Sequence, residues 1–257
     1  AQILDLVCLP AGSSRPVVPQ LSELAAWLAL RHNDFANWLI EHEPEILLRN
    51  DASALTESQR ERFVARVLER MAREEAFDDW NLKRFYGTFR HSKLTDQLRP
   101  YLKNPEISRF AIRAAIHLAE LNESTELLED LLAIAKNADT DCHLREEAMR
   151  AACAFIPAER LAELEPFARC EAGPDPHDEL RGAALMALVP RHWKVSTALP
   201  HVAKPSNHNF SGAFHTVYNS YLPKQVEPED LPALLREIRQ IDHPFMGYDN
   251  QVKPVAS

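Results

Sequence analysis

The sequence predicts an all-α protein, a HEAT-like α-solenoid of antiparallel helix pairs with an N-terminal helical cap. Two observations lead to this prediction: a composition that favours helices, and a segment that recurs at a nearly constant spacing. Glycine accounts for only 6 of the 257 residues, and leucine and alanine are the commonest apolar residues. Such a composition favours helices over strands and leaves few positions for hairpin turns.

Three segments of the chain align with one another without gaps. They begin at Ile107, Leu144 and Leu180, which places the copies 37 and 36 residues apart. Each copy has an alanine four residues after its aliphatic anchor and another apolar residue five positions later. A second helix is expected after each copy, at 125–136, 158–169 and 195–203. Because one helix pair cannot bury its own apolar face, this period predicts stacked pairs in a right-handed solenoid.

The predicted domain organisation is a helical cap over 1–78, continuous with HEAT-like repeats over 79–257. Apolar residues spaced three and four apart predict cap helices at 19–31, 35–41 and 44–49. The sequence Thr56-Glu57-Ser58-Gln59 is a capping box, which predicts a helix from there to about residue 75. Helices at 80–90 and 94–102 should follow. The proline-rich stretch 10–19 is the predicted linker.

Charge and cysteine content narrow the possible partners. The formal net charge of −9 gives no general attraction to nucleic acid or to an acidic membrane. The four cysteines include no C-x-x-C pair, and no run reaches the roughly 18 apolar residues of a membrane span. We therefore expect a cytoplasmic protein without cofactor or metal, whose partner is another protein or other domains of the same polypeptide. Both chain ends are interpreted as cuts from a longer polypeptide.

The first part of the chain resembles a known family. The segments Pro19-Gln20-Leu21-Ser22-Glu23-Leu24-Ala25-Ala26-Trp27-Leu28-Ala29, Phe35-Ala36-Asn37-Trp38-Leu39 and Glu43-Pro44-Glu45-Ile46-Leu47-Leu48-Arg49-Asn50-Asp51 are similar to the helical region after the nucleotide-binding domain of bacterial NACHT-type STAND NTPases. The later copies are similar to the HEAT-like arrays of such proteins. The resemblance implies a multi-domain switch, in some members an antiphage defence protein, whose repeats sense a trigger or hold the ATPase closed. The family's Walker A lysine and Walker B acids have no counterpart in this chain.

We therefore predict a non-catalytic regulatory or sensor segment of a larger signal-transducing NTPase. The main alternative is a free-standing HEAT-like scaffold that binds proteins. The candidate partner-binding residues are four arginines on the repeated helices: Arg109, Arg113, Arg145 and Arg181.

Two enzymatic hypotheses for a HEAT-like fold have structural alternatives. A DNA glycosylase needs a basic concave surface with aromatic residues, and one cluster has that composition: Lys83, Arg84, Phe85, Tyr86, Arg90, His91, Lys93, Arg99 and Lys103. We favour a solvated helix pair with Phe85 and Phe89 in the core, because the net charge is negative. A di-iron hydroxylase needs several His-Glu dipeptides, and the chain offers only His42-Glu43.

Three further groups have a functional and a structural interpretation. His117 and His143, with Glu146 or Glu147, have the residue types of a transition-metal site, although such histidines are more often buried and hydrogen-bonded. Cys142 beside His143 suggests a thiol nucleophile, but no orienting Asn or Asp can be assigned. Helical spacing also relates four aromatic residues that belong either to the core or to a docking face: Phe210, Phe214, Tyr218 and Tyr221.

Overall fold

A computed structural model describes residues 2–10, 15–49, 53–78, 81–202 and 212–240. Across these residues the chain is helical, and its only extended pairing is an isolated bridge between Cys8 and Val17. The prediction of an all-α protein is therefore confirmed. The chain forms two compact units, Ala1–Ile156 and Pro157–Ser257. The predicted boundary between cap and repeats, at 78/79, falls inside the first unit.

The first unit begins with five helices: α1 (Gln2–Val7), α2 (Ser22–Ala29), α3 (Asn33–His42), α4 (Pro44–Leu48) and α5 (Glu57–Ala72). The helix α1 was not predicted. The prediction of a linker is wrong for residues 15–18, because their backbone pairs with the end of α1. The amide of Leu9 donates to the carbonyl of Pro16, and that of Val18 donates to the carbonyl of Val7, both at 2.9 Å. Residues 11–14 of the expected linker lie outside the described residues.

Helix α5 begins at the predicted capping box. The Thr56 hydroxyl accepts from the Gln59 amide at 3.3 Å, and Gln59 Oε1 accepts from the Thr56 amide at 2.9 Å. These bonds satisfy amide groups that the first turn of a helix leaves free. Its buried apolar stripe follows the spacing of three and four: Phe63, Val64, Val67, Leu68 and Met71.

Four more helices complete the first unit: α6 (Leu94–Lys103), α7 (Arg109–Leu121), α8 (Leu128–Lys136) and α9 (Cys142–Phe155). The helix α7 packs against α5, α6 and α9, and α8 packs against α6 and α9. The helix expected over 80–90 is instead a 3₁₀ segment, Lys83–Phe89. Its buried aromatic residues, Tyr86 and Phe89, are three positions apart, and the three-residue turn of a 3₁₀ helix places such positions on one face.

The second unit contains α10 (Glu165–Ala168), α11 (Glu179–Leu188), α12 (Val195–Ala198), α13 (Ala213–Thr216) and α14 (Leu231–Gln240). Residues Ala158–Leu164 and Leu199–His201 are 3₁₀ segments, and Val217–Tyr221 is a turn of π-helix. In the second unit, the α-helices within the predicted ranges 158–169 and 195–203 are therefore shorter than expected, since they cover only Glu165–Ala168 and Val195–Ala198. Prolines at 166 and 200 lie in the first turns of α10 and of the Leu199–His201 segment, and proline donates no amide hydrogen bond.

Helix α11 packs against α10 and α13. Gly182 makes the second contact possible, because a Cβ atom there would lie 2.2 Å from the backbone nitrogen of Phe214. Among the aromatic group expected here, Phe214 is buried, Tyr218 is half-buried, and Phe210 lies outside the described residues. The Tyr221 hydroxyl is within 2.9 Å of the carbonyl of Met186 and 2.6 Å of that of Val189. The interpretation as core is confirmed for Phe214.

The repeated segments correspond to α7, α9 and α11. Their alanines at the fourth position after the anchor, Ala111, Ala148 and Ala184, are fully buried. A methyl side chain lets a neighbouring backbone approach closely, so the recurrence of alanine reflects packing. Within the part of the chain that the structure describes, no helix has both the length and the apolar character needed to cross a bilayer.

Candidate functional site

The four arginines proposed from the sequence divide into two buried and two surface residues. Arg145 is 1% exposed, and its Nε donates to the carbonyl of Ala135 at 3.0 Å. Arg181 is 6% exposed and donates to the carbonyl of His201. A docking residue must be accessible to its partner, so Arg145 and Arg181 are corrected to interior residues. Their charged side chains satisfy backbone carbonyls within the helical packing.

Arg109 and Arg113 lie beside the ring of Phe110, which contacts Phe77 at the surface of the first unit. Phe77 is 61% exposed and meets Phe110 edge-to-face, with ring centroids 5.0 Å apart. The guanidinium carbons of Arg109 and Arg113 lie 5.2 and 5.9 Å from the centroid of Phe110. These distances are typical of cation–π contacts. We call Phe77, Arg109, Phe110 and Arg113 the aromatic–arginine surface.

Arg113 joins this surface to charged residues in the interior. Its Nε donates to Asp78 Oδ2 at 2.6 Å, and a terminal nitrogen donates to the Asp78 carbonyl. The Asp78 side chain is fully buried and also accepts from the Tyr86 hydroxyl at 2.5 Å. Since a buried carboxylate is costly unless it is paired, these bonds fix both Asp78 and Arg113. The buried residue Asp78 therefore fixes the orientation of the Arg113 side chain at the surface.

His117 lies between two carboxylates of this interior group. Its Nδ1 is 3.5 Å from Asp78 Oδ2, and its Nε2 is 3.1 Å from Glu147 Oε2. Glu147 also lies 3.0 Å from Arg150 Nη1 and 3.7 Å from Lys83 Nζ. We call the whole set the buried ion network; its members are Asp78, Lys83, Tyr86, Arg113, His117, Glu120, Glu147 and Arg150.

Electrostatics identify the ionisation state of Glu147. Burial raises the pKa of its carboxyl, but the hydrogen bond to His117 and the charges of Arg150, His117 and Lys83 outweigh burial and lower the pKa to about 2. Glu147 is therefore ionised throughout the physiological range. A general base works best with a pKa near the operating pH, so the arrangement favours a fixed charge over proton transfer.

The basic cluster considered for a DNA glycosylase is largely paired with carboxylates. Tyr86 and His91 are buried, Phe89 is fully buried and Phe85 is half-buried. Ion pairs of the cluster include Lys83–Glu120 at 2.6 Å, Lys93–Glu61 at 2.9 Å and Arg99–Asp130 at 3.1 Å. Paired cations attract a polyanion less than free ones do. The expected core position is confirmed for Phe89 and holds in part for Phe85.

The two histidines considered for a metal site contact different carboxylates. His117 is buried against Glu147, whereas His143 is exposed, with its Nδ1 3.1 Å from Glu146. The neighbouring thiol has the wrong electrostatics for a nucleophile: burial and the carboxylates of Glu146 and Asp141 raise the pKa of Cys142. An activated cysteine has a lowered pKa.

The His42-Glu43 dipeptide has structural contacts on both residues. His42 Nδ1 is 2.9 Å from the carbonyl of Trp38. Glu43 Oε1 accepts from the amide of Val17 at 2.6 Å, next to the bridge between Cys8 and Val17. These contacts hold the start of the first unit together.

Sequence reasoning missed Phe77 and Asp78, the residues on which the surface and the network depend. Both follow the end of α5 in an irregular segment, where neither helical spacing nor a cap distinguishes one residue from another. The hydrogen bond from Arg113 to Asp78 spans 35 positions. A contact of that separation leaves no signal in local sequence.

Comparison of the chain with protein-family models, with curated proteins and with solved structures gives no match.

Proposed function

We propose that this chain is a non-catalytic HEAT-like solenoid segment that binds a protein partner, as the sensor or regulatory part of a larger signal-transducing NTPase. The aromatic–arginine surface is its docking site. The observation that carries this proposal is the exposure of Phe77 against Phe110, with two arginines beside the rings.

Three features of this surface support partner binding. Aromatic residues and arginine are enriched at protein interfaces, and a few such anchors supply most of the binding energy. Covering an exposed phenylalanine ring with a partner removes apolar surface from water and lowers the free energy of binding. Arg113 is held in place by Asp78, so little side-chain entropy is lost when a partner binds it.

The helical packing supports the solenoid part of the proposal. In the first unit, α6 contacts both α7 and α8, and α7 and α8 each contact α9. Helices that pack on both the next element and the one after it are what stacked pairs require. The recurrent buried alanines at Ala111 and Ala148 lie on these helices.

The absence of a catalytic role is supported by the state of the charged residues. Glu147, with its pKa lowered to about 2, is a poor proton carrier near neutral pH. The raised pKa of Cys142 disfavours its thiolate. The charged residues of the buried ion network bind one another, which favours support of the surface over chemistry on a substrate.

The docking site can be tested with peptides selected from a displayed random library on the wild-type chain. Affinities are then measured by fluorescence anisotropy for Phe77→Ala and Arg109→Glu. We expect each variant to lose about tenfold in affinity or more, as a hot-spot residue does. The matched control is a second exposed aromatic–arginine pair, Trp27→Ala and Arg31→Glu; Trp27 is 51% exposed, with Arg31 stacked 4.4 Å from its ring. Equal losses in the two sets, or unchanged affinity in the first, would contradict the assignment.

The larger NTPase is tested separately. Sequencing the gene upstream of the codon for Ala1 should reveal a phosphate-binding loop, G-x-x-x-x-G-K-[ST], in the same reading frame. A continuous upstream frame without such a loop would leave a free-standing scaffold as the function.

A further inference from the structure

A groove of about 850 Å³ opens at one end of α6, α7, α8 and α9 in the first unit. Its apolar floor includes Leu102, Ile112 and Leu144, each 6% exposed, together with Ile134. The exposed residue Ala133 also lines it. This volume lies within the roughly 300–1,000 Å³ of typical binding sites. The floor offers apolar contact to a ligand that reaches it.

The walls of the groove carry more negative than positive charge. Four carboxylates line it, those of Glu106, Asp130, Asp139 and Asp141, against two basic side chains. Within the described part of the chain, Asp130 is the one of these four carboxylates that has an ion-pair partner, with Arg99 Nε at 3.1 Å and Lys103 Nζ at 3.7 Å.

Among the described residues, Glu106 and Asp139 are exposed and have no ion-pair partner. The Asp141 carboxylate accepts hydrogen bonds from the amides of His143 and Leu144 at the start of α9. Together these residues make an acidic rim above an apolar floor.

The groove adjoins the aromatic–arginine surface. Arg109 belongs to both, since it stacks on Phe110 and also lines the groove. Lys103, Glu106 and Asp139, which line the groove, are exposed, so the groove is open to a peptide segment rather than closed around a small molecule. A partner on the aromatic–arginine surface is thus next to the groove.

We propose that the groove takes an amphipathic segment of a protein partner, with apolar side chains on the floor and lysine or arginine against the acidic rim. This inference rests on the proposed function, because the segment belongs to the partner that docks beside Arg109. Charge complementarity selects the occupant: a basic segment neutralises Glu106 and Asp139, whereas an acidic segment would meet like charge.

The probe is a fluorescein-labelled synthetic peptide with leucines one helical turn apart and lysines at one end; its counterpart has glutamate in place of lysine. The test variant is Glu106→Gln/Asp139→Asn. Its control, Glu23→Gln/Glu41→Gln, removes the same charge from exposed positions on α2 and α3. A third variant, Ala133→Trp, fills the floor without changing charge. Circular dichroism checks that each variant is folded.

We expect the lysine peptide to bind, the glutamate peptide not to bind, and the test variant and Ala133→Trp each to lose about tenfold in affinity. The control should change the affinity less than about twofold. Binding of the lysine peptide that is equally strong in every variant, or absent in the wild type, would overturn the inference.

The same titrations separate this inference from the proposed function. If Phe77→Ala weakens the binding of peptides selected from the library, but the affinity for the lysine peptide is unchanged in Glu106→Gln/Asp139→Asn, the groove is not a binding site and the docking surface remains supported. If the lysine peptide depends on the groove while Phe77→Ala changes nothing, the groove is a site and the proposed docking surface is wrong.

Discussion

Replacing Glu147 by glutamine removes one charge from the buried ion network while keeping the shape of the side chain. The amide resembles the protonated carboxyl, so the variant mimics what acid does to this residue. In the folded chain the pKa of Glu147 is about 2, below its ordinary value of 4.5. The unfolded state therefore binds the proton more readily, and ionised Glu147 stabilises the fold.

The pKa difference sets the magnitude of the effect. A difference of about 2.5 in pKa corresponds to about 3 kcal/mol of unfolding free energy. This stability is fully present above pH 4.5, the unfolded value, and is lost as the pH falls through the folded value of about 2. At about pH 3.5 the linkage relation leaves about 2 kcal/mol. The penalty of Glu147→Gln should shrink accordingly on acidification.

Urea denaturation followed by circular dichroism measures this loss of unfolding free energy at neutral pH and at about pH 3.5. The control is Glu61→Gln, which breaks an exposed ion pair with Lys93 at 2.9 Å; surface pairs contribute less than about 1 kcal/mol. A penalty for Glu147→Gln no larger than that of the control, or one that grows as the pH falls, would refute the reasoning. Either result would mean that the network does not stabilise the ionised carboxylate.

Three further experiments test local structure and packing. Thr56→Ala should cost about 1 kcal/mol in urea denaturation, because the capping box of α5 loses its hydroxyl; no loss would show that the cap is unimportant. Gly182→Ala should lower stability by about 1–3 kcal/mol, because the new Cβ would lie 2.2 Å from backbone. Gly87→Ala should be nearly neutral, because its nearest neighbour lies at 3.6 Å. Thermal denaturation compares the two variants, and equal shifts in Tm would contradict the close approach at Gly182. Arg145→Glu should prevent stable folding, as judged by circular dichroism, whereas Arg109→Glu at the surface should leave the fold unchanged. A folded Arg145→Glu chain would contradict the interior position of Arg145.

The candidate site shows which of its residues local sequence predicts and which it does not. The sequence predicts Arg109 and Arg113 as surface residues of a repeated helix, and both lie on the aromatic–arginine surface. Arg145 and Arg181 occupy a different repeat position, one residue after the anchors Leu144 and Leu180, and both are buried. A helical repeat indicates which positions correspond to one another, but neighbouring elements decide which of them are covered.

The sequence by itself determined the helical class, the start of α5 and the burial of the recurrent alanines, because these depend on propensity, capping and spacing within one or two turns. Only the tertiary structure decided that Asp78 lies under Arg113 and His117, that residues 83–89 form a 3₁₀ segment, and that a groove opens beside Arg109. Asp78 and Arg113 are 35 positions apart, and their contact depends on how α5, α7 and the segment between them pack. The physical reason is that charged and aromatic side chains gain their pairing energy only after burial has brought distant parts of the chain together.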